Sequence, residues 1–222
     1  MLLCIFKGAG QGFGFGIRHI SSGGIGFLYD YKGNDFYESG NFSQGTGYFY
    51  GLGLLIDDMG NDRHIGSRYS IASSAHSALG ILINNKGNDS YQTLYGSSMG
   101  IAWDNSNSFF LDESGNDVYD CLDRNFCLAQ ADHNSFSLFN DKSGKDIYNV
   151  NVIKPPATNS YNDGKSFSIH IDEGGGNFVI PLNTFKSCPN ISSINILSGN
   201  LLRKEIHEDA FTDATELSYL RI

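Results

Sequence analysis

Proline, basic charge and long apolar runs are what this chain of 222 residues has least of. It holds 4 Pro, and its 15 Lys and Arg face 24 Asp and Glu, for a net charge of −9 and a pI near 4.9. That balance argues against nucleic acid or an anionic membrane as partner, because both are recognised by basic patches. It suits cations, basic partners or plain solubility. No apolar stretch approaches the roughly 20 residues that cross a bilayer, so no membrane span is expected. The opening segment Met1 to Lys7 is too short for the apolar region of a signal peptide, and the chain begins almost inside a repeat, as a fragment or a mature form would. Its four cysteines, Cys4, Cys121, Cys127 and Cys188, match neither a zinc spacing nor a disulfide-dense scaffold. Cys121 and Cys127 could meet across a turn, although free thiols are the expectation. A nucleophile triad, a phosphate loop and a dinucleotide fingerprint are all missing. Gly10-Gln11-Gly12-Phe13-Gly14 is glycine-rich, but no helix pattern follows to present an N-terminus to a phosphate.

What the chain has instead is 27 Gly, 12 Tyr and 16 Phe, with abundant Asn and Ser. Rings fill pleated surfaces, and Gly and Asn supply positive φ in tight turns, so the composition is that of an all-β protein. A motif of the form Asp-x-x-Gly-Asn-Asp-x-Tyr recurs. Its first position is held by Asp30, Asp57, Asn84, Asp112, Asp141 and Asp172, spaced 27 to 31 residues apart. Five residues on stand Asp35, Asp62, Asp89, Asp117 and Asp146, and two further on Tyr37, His64, Tyr91, Tyr119 and Tyr148. Upstream of the first Asp the chain alternates with period two, as a strand does. The columns Ile25/Leu52/Leu79, Phe27/Leu54/Ile81 and Tyr29/Ile56/Ile83 read as the inward face. The intervening Gly26/Gly53/Gly80/Ser108/Ser137 column reads as an outward face nearly bare of side chains.

A unit this short cannot bury its own apolar face, so neighbours must stack on it. The expectation is a right-handed parallel β-solenoid or β-helix of about six coils, over 1–182. A C-terminal segment over 183–222 would cap the open end, with a strand near Ser193–Leu197 and a short helix over Glu208–Leu220.

The pattern Gln44-Gly45-x-Gly47-x-x-x-Gly51-Leu52-Gly53-Leu54-Leu55-Ile56-Asp57-x-x-Gly60-Asn61-Asp62 resembles tandem repeats of uncharacterised bacterial proteins, often large and secreted or surface-associated. The resemblance covers about residues 8 to 150 and implies a solenoid in an extracellular or cell-surface setting, with no established activity. The Gln-Gly element survives at Gln11-Gly12 and Gln44-Gly45, and weakly at Gln130-Ala131. Gly33-Asn34-Asp35-Phe36-Tyr37 and Gly115-Asn116-Asp117-Val118-Tyr119 more distantly resemble calcium-binding nonapeptide repeats, without the leading Gly-Gly and only once per coil.

Three constellations could carry chemistry. Stacked Asp columns repel by roughly 1 kcal/mol per pair in water and more at lower dielectric, so they need compensation. Either each carboxylate accepts amide protons of its own Gly-Asn turn, or Asp30, Asp35, Asp57, Asp62, Asp112 and Asp117 bind Ca²⁺ through oxygen ligands. Asn84 and Lys145, which interrupt the motif, favour the turn reading. Second, His76, Asp104 and His133 fall in one column beside Trp103 and Asp132. That set could hold zinc, orient a general base or stack a sugar on Trp103, or it could be a solvated corner. Third, the bare Gly/Ser face would allow close self-association. The Tyr column reads as aromatic stacking at a corner of the core.

Two functions follow. One is a non-catalytic structural or binding solenoid, calcium-stabilised in one form. The other is a carbohydrate-active β-helix, lyase or hydrolase, acting on a polysaccharide with Asp104, Asp132 and His133 as catalytic candidates.

Overall fold

The computed structural model describes residues 10–122, 127–149 and 166–172, with the strands at 177–180, 193–195, 203–206 and 219–221. The fold is an all-β solenoid of parallel sheets, and among the described residues there is no helix, hence none long and apolar enough to cross a membrane. Each turn has a short strand, a six-residue strand and a strand of three or four residues. The first turn holds β1 (Gly14–Phe15), β2 (Ile25–Asp30) and β3 (Phe36–Glu38). The second holds β4 (Gly47–Tyr48), β5 (Leu52–Asp57) and β6 (Arg63–Gly66). The third holds β7 (Ser74–Ala75), β8 (Leu79–Asn84) and β9 (Ser90–Thr93). The fourth holds β10 (Ala102–Trp103), β11 (Asn107–Asp112) and β12 (Val118–Cys121). The fifth holds β13 (Ala131–Asp132), β14 (Phe136–Asp141) and β15 (Ile147–Asn149), and β16 (Phe167–Asp172) adds one more long strand. They stack into sheets of five, six and five strands. Every pairing is parallel and in the register of the repeat, so Leu52 lies on Leu79 and Asp57 on Asn84.

The face assignment made from the sequence is inverted. In β5 the alternation buries Gly53, Leu55 and Asp57 and leaves Leu52, Leu54 and Ile56 on the outside. The inward column is Leu28, Leu55, Leu82, Phe110 and Phe139, packed on the tyrosines. The Gly/Ser column also points inward, because the short-strand wall crosses the interior there. A Cβ on Gly53 would lie 2.0 Å from the carbonyl oxygen of Thr46, and one on Gly80 2.1 Å from that of Ser73. Where the interior widens, serine fits, and the Ser108 and Ser137 hydroxyls donate to the carbonyls of Ala72 and Gly100. Close self-association through a Gly/Ser face is therefore not available.

Sharp corners join the walls, made by two successive residues in the left-handed region: Gln44-Gly45, Ile71-Ala72, Met99-Gly100 and Leu128-Ala129 at one corner, Phe49-Tyr50, His76-Ser77, Asp104-Asn105 and His133-Asn134 at another. For non-glycine residues this costs on the order of 1–2 kcal/mol each, and the stack offsets it. The corner amides of Tyr50, Ser77 and Asn105 donate to the carbonyls of His76, Asp104 and His133 at 3.0, 2.8 and 2.8 Å. The Gln-Gly element thus continues through every turn as Ile71-Ala72, Met99-Gly100 and Leu128-Ala129, not as Gln130-Ala131.

Beyond β16, parallel pairing persists at an offset of 26 residues. β17 (Asn177–Ile180) pairs with β19 (Arg203–Ile206), Asn177 opposite Arg203, and β18 (Ser193–Asn195) pairs with β20 (Tyr219–Arg221), Ser193 opposite Tyr219. The strand expected near Ser193 is present. Most of the helix expected over 208–220 lies outside the described residues, and Tyr219–Arg221 is strand. Cys121 and Cys127, expected as free thiols, form a disulfide with their Cα atoms 6.5 Å apart; the chain returns after β12 to the next corner and brings them together.

Candidate metal centre

In the first five turns the long strand ends on the first position of the motif, an Asp except for Asn84, then turns through Gly-Asn, or Gly144-Lys145 in the fifth, and reaches the second Asp one residue before the third-sheet strand begins. Both carboxylates face the same interior edge. Asp57, Asp112 and Asp141 are fully buried, and each accepts a tyrosine hydroxyl from the turn before: Tyr37 to Asp57 at 2.6 Å, Tyr91 to Asp112 at 2.8 Å and Tyr119 to Asp141 at 2.8 Å. The rings stack with centroids 4.5 to 5.2 Å apart from Tyr37 through His64, Tyr91 and Tyr119 to Tyr148. Each stacked pair contributes roughly 0.5–1.5 kcal/mol beyond its burial. His64 fits the ladder as a neutral ring, its pKa pushed down to about 3 by burial.

The second carboxylates bridge turns instead of closing their own. The amide of Asp35 donates to Oδ1 of Asp62 at 2.7 Å, that of Asp62 to Asp89 at 2.6 Å, that of Asp89 to Asp117 at 2.6 Å and that of Asp117 to Asp146 at 2.8 Å. Outside them runs a matching asparagine ladder, in which the amides of Asn61, Asn88 and Asn116 donate to Oδ1 of Asn34, Asn61 and Asn88. Lys145 ends this outer ladder, its amide on Asn116 and its side chain exposed. It therefore does not enter a carboxylate column, and the objection it raised to a cation falls.

Three groups of aspartates bring one carboxylate oxygen each to within 4.8 Å of the others: Asp35/Asp57/Asp62, Asp89/Asp112/Asp117 and Asp117/Asp141/Asp146. The second Asp of one turn joins both Asps of the next. A further observation marks these groups as ligand-seeking. Oδ2 of Asp62, Asp89 and Asp117 is buried with no hydrogen-bond partner, and so is Oδ1 of Asp141, in residues at most 2% exposed. A buried polar oxygen without a partner costs on the order of 1–3 kcal/mol, more when charged. Burial, and then mutual repulsion, drives the carboxyls up: Asp89 and Asp117 to about 8, Asp141 to about 9. Asp62 and Asp112 rise to about 6, held back by the amide and hydroxyl bonds they accept. Such groups are protonated or neutralised by a cation. The Asp clusters can hold a metal ion, and their ligands are all hard oxygens, with no His or Cys to select zinc.

The structure gathers five of the six aspartates picked out from the sequence for calcium. Asp30 stays apart, half-buried at the first turn, and its Oδ1 accepts the amide of Lys32 at 2.9 Å, the expected turn bond. Asp89, Asp141 and Asp146 were missed. All three stand in the Asp columns of the motif: Asp141 and Asp146 are the pair of the fifth repeat, and Asp89 joins the pair of the following turn.

The other predicted constellation comes together only in part. His76 and Asp104 meet at 2.6 Å between Nδ1 and Oδ2. His133 turns to Asp132, 3.3 Å away, and its ring stacks on Trp103 at 4.4 Å. Asp132 is buried and sits opposite Trp103 in the register of β10 and β13. Among the described residues, no group of metal-binding geometry includes His76, Asp104 or His133. All three occupy left-handed corner positions, where Asn, Asp and His are enriched for conformational reasons. No family model, no curated protein and no solved structure matches the chain.

Proposed function

We propose that the chain is a non-catalytic structural or binding solenoid whose interior aspartate column takes up hard divalent cations, Ca²⁺ foremost. The observation that carries this is the set of buried, partnerless carboxylate oxygens converging in three groups. Ca²⁺ takes six to eight oxygen ligands, carboxylate and carbonyl among them, and each group offers carboxylate oxygens from three aspartates. Mg²⁺ fits less well, since it keeps several waters in a tight octahedron and these carboxylates are buried or half-buried. Asn84 keeps the column continuous where a carboxylate is missing: it gives Nδ2 to the Tyr91 hydroxyl and leaves Oδ1 buried without a partner, a neutral ligand beside Asp62 and Asp89. Function then consists of carrying a rigid surface. An extracellular or cell-surface setting suits this reading, because free Ca²⁺ is abundant there and the Cys121–Cys127 disulfide belongs to oxidising compartments. The carbohydrate-active alternative has less support, since Asp132 is buried and His133 is engaged by Trp103.

Terbium luminescence tests the proposal. Tb³⁺ binds calcium sites, and Tyr91 and Tyr119 donate to Asp112 and Asp141 beside the groups, so tyrosine excitation should sensitise it. The expected result is strong emission that Ca²⁺ displaces and that Asp117→Asn, which serves two groups, reduces most. Absence of sensitised emission, together with no bound Ca²⁺ by elemental analysis, would refute the proposal.

A further inference from the structure

The outward face of the six-stranded sheet is predominantly apolar among the described residues. It presents Ile25, Phe27 and Tyr29 from β2, Leu52, Leu54 and Ile56 from β5, and Leu79, Ile81 and Ile83 from β8. Phe109 and Leu111 of β11, and Phe136 and Leu138 of β14, continue the same rows, with Asn107 and Asn140 the polar members there. Ile25, Phe27 and Tyr29 are 81, 60 and 50% exposed. Among the described residues, no charged side chain stands on this face, in a chain of net charge −9. The third sheet, by contrast, mixes Glu38, Arg63, Gln92 and Asp120 among Phe36, Ile65 and Val118 on its outer side. A contiguous apolar patch of several hundred Å² is at the large end for a monomer and is often a binding surface.

We infer that this face docks against the same face of a second copy of the chain. Six strands about 4.8 Å apart, each about 17 Å long, project roughly 500 Å². Two such faces bury on the order of 1,000 Å², which reaches the lower bound of a specific interface. The surface complements itself: parallel in-register strands make straight rows at one spacing, and two sheets of this kind pack about 10 Å apart with rows interleaved. A charged partner would find nothing to pair with, whereas a second copy buries no unpaired charge. Because the aspartate groups lie on the opposite side of the same sheet, the outcome is independent of whether they bind calcium.

Sedimentation of the full chain over a concentration series, with Ca²⁺ present, reads this directly. The expected species has twice the 24.3 kDa chain mass. Ile81→Lys at the centre of the face should weaken association by more than about tenfold while retaining a cooperative melt and a β-type circular dichroism spectrum. Phe27→Lys serves if Ile81→Lys fails to fold, since Phe27 is already 60% exposed. Ile147→Lys, on the third sheet, should sediment as the unaltered chain does. A monomer at every concentration, whether the face is covered by this chain or awaits another partner, overturns the inference. So does a folded Ile81→Lys or Phe27→Lys protein that remains dimeric.

Discussion

Chelating divalent cations should make the solenoid's stability fall as pH rises, the reverse of ordinary acid denaturation. Asp89 and Asp117 are raised to about 8 and Asp141 to about 9, chiefly by burial. Unfolding returns each to about 3.9. A group raised in the folded state contributes stability that is whole below the unfolded value and is lost as pH climbs through the folded one. Between pH 4 and pH 7 each such carboxyl therefore costs about 4 kcal/mol, at about 1.4 kcal/mol per unit. The three interact, so the joint loss is less than threefold, yet it is a large share of the 5–15 kcal/mol typical of a domain. At roughly 2–4 °C per kcal/mol for a chain of this size, one carboxyl alone lowers Tm by about 8–16 °C. Calorimetry at pH 5, 6, 7 and 8 in EDTA should show that fall. The same series in excess Ca²⁺ should be nearly flat, because the cation replaces the proton as the neutralising partner. Calcium should stabilise strongly at pH 8 and little at pH 5. A Tm in EDTA that is level or rises from pH 5 to pH 8 would refute the account of the buried column.

Other substitutions probe single links. Gly53→Ala places a methyl 2.0 Å from the Thr46 carbonyl oxygen, and overpacking of this kind should cost about 1–3 kcal/mol in denaturant unfolding. Tyr119→Phe removes the 2.8 Å hydroxyl bond to Asp141 and should cost about 1–3 kcal/mol, with a larger loss in EDTA than in Ca²⁺. Cys121→Ser opens the disulfide across its short loop and should cost about 2 kcal/mol by the loop-entropy relation, while thiol titration of the unfolded chain counts one more free thiol.

The repeat was legible because stacking demands it. The columns written from the sequence are those of the observed register, from Ile25 on Leu52 through Phe136 on Phe167. The tyrosine ladder was legible for the same reason, with His64 taking its place between Tyr37 and Tyr91. The facing of the long strand was not. Leu52, Leu54, Leu55 and Ile56 make β5 apolar on both sides, so period two alone does not choose a side. The usual preference for carboxylates in water then puts Asp57 outside, together with everything of its parity. The metal groups were half legible: both Asps of one repeat do share a group, as Asp112 and Asp117 do, but the third member comes from the preceding turn, as Asp89 does, and nothing along the chain marks that contact.

By itself, the sequence determined the solenoid, its register and the identity of the stacked residues, since units of 27 to 31 residues with strand alternation bury apolar surface only by stacking in register on their neighbours. Only the tertiary structure decided which parity faces in. The second wall lies within 2.0 Å of where a Gly53 Cβ would stand, and the tyrosine hydroxyls that hold Asp57, Asp112 and Asp141 inside come from the neighbouring turn. Contacts between turns have no signature along the chain. They set the carboxylates together in the interior and left the leucine and isoleucine rows facing out.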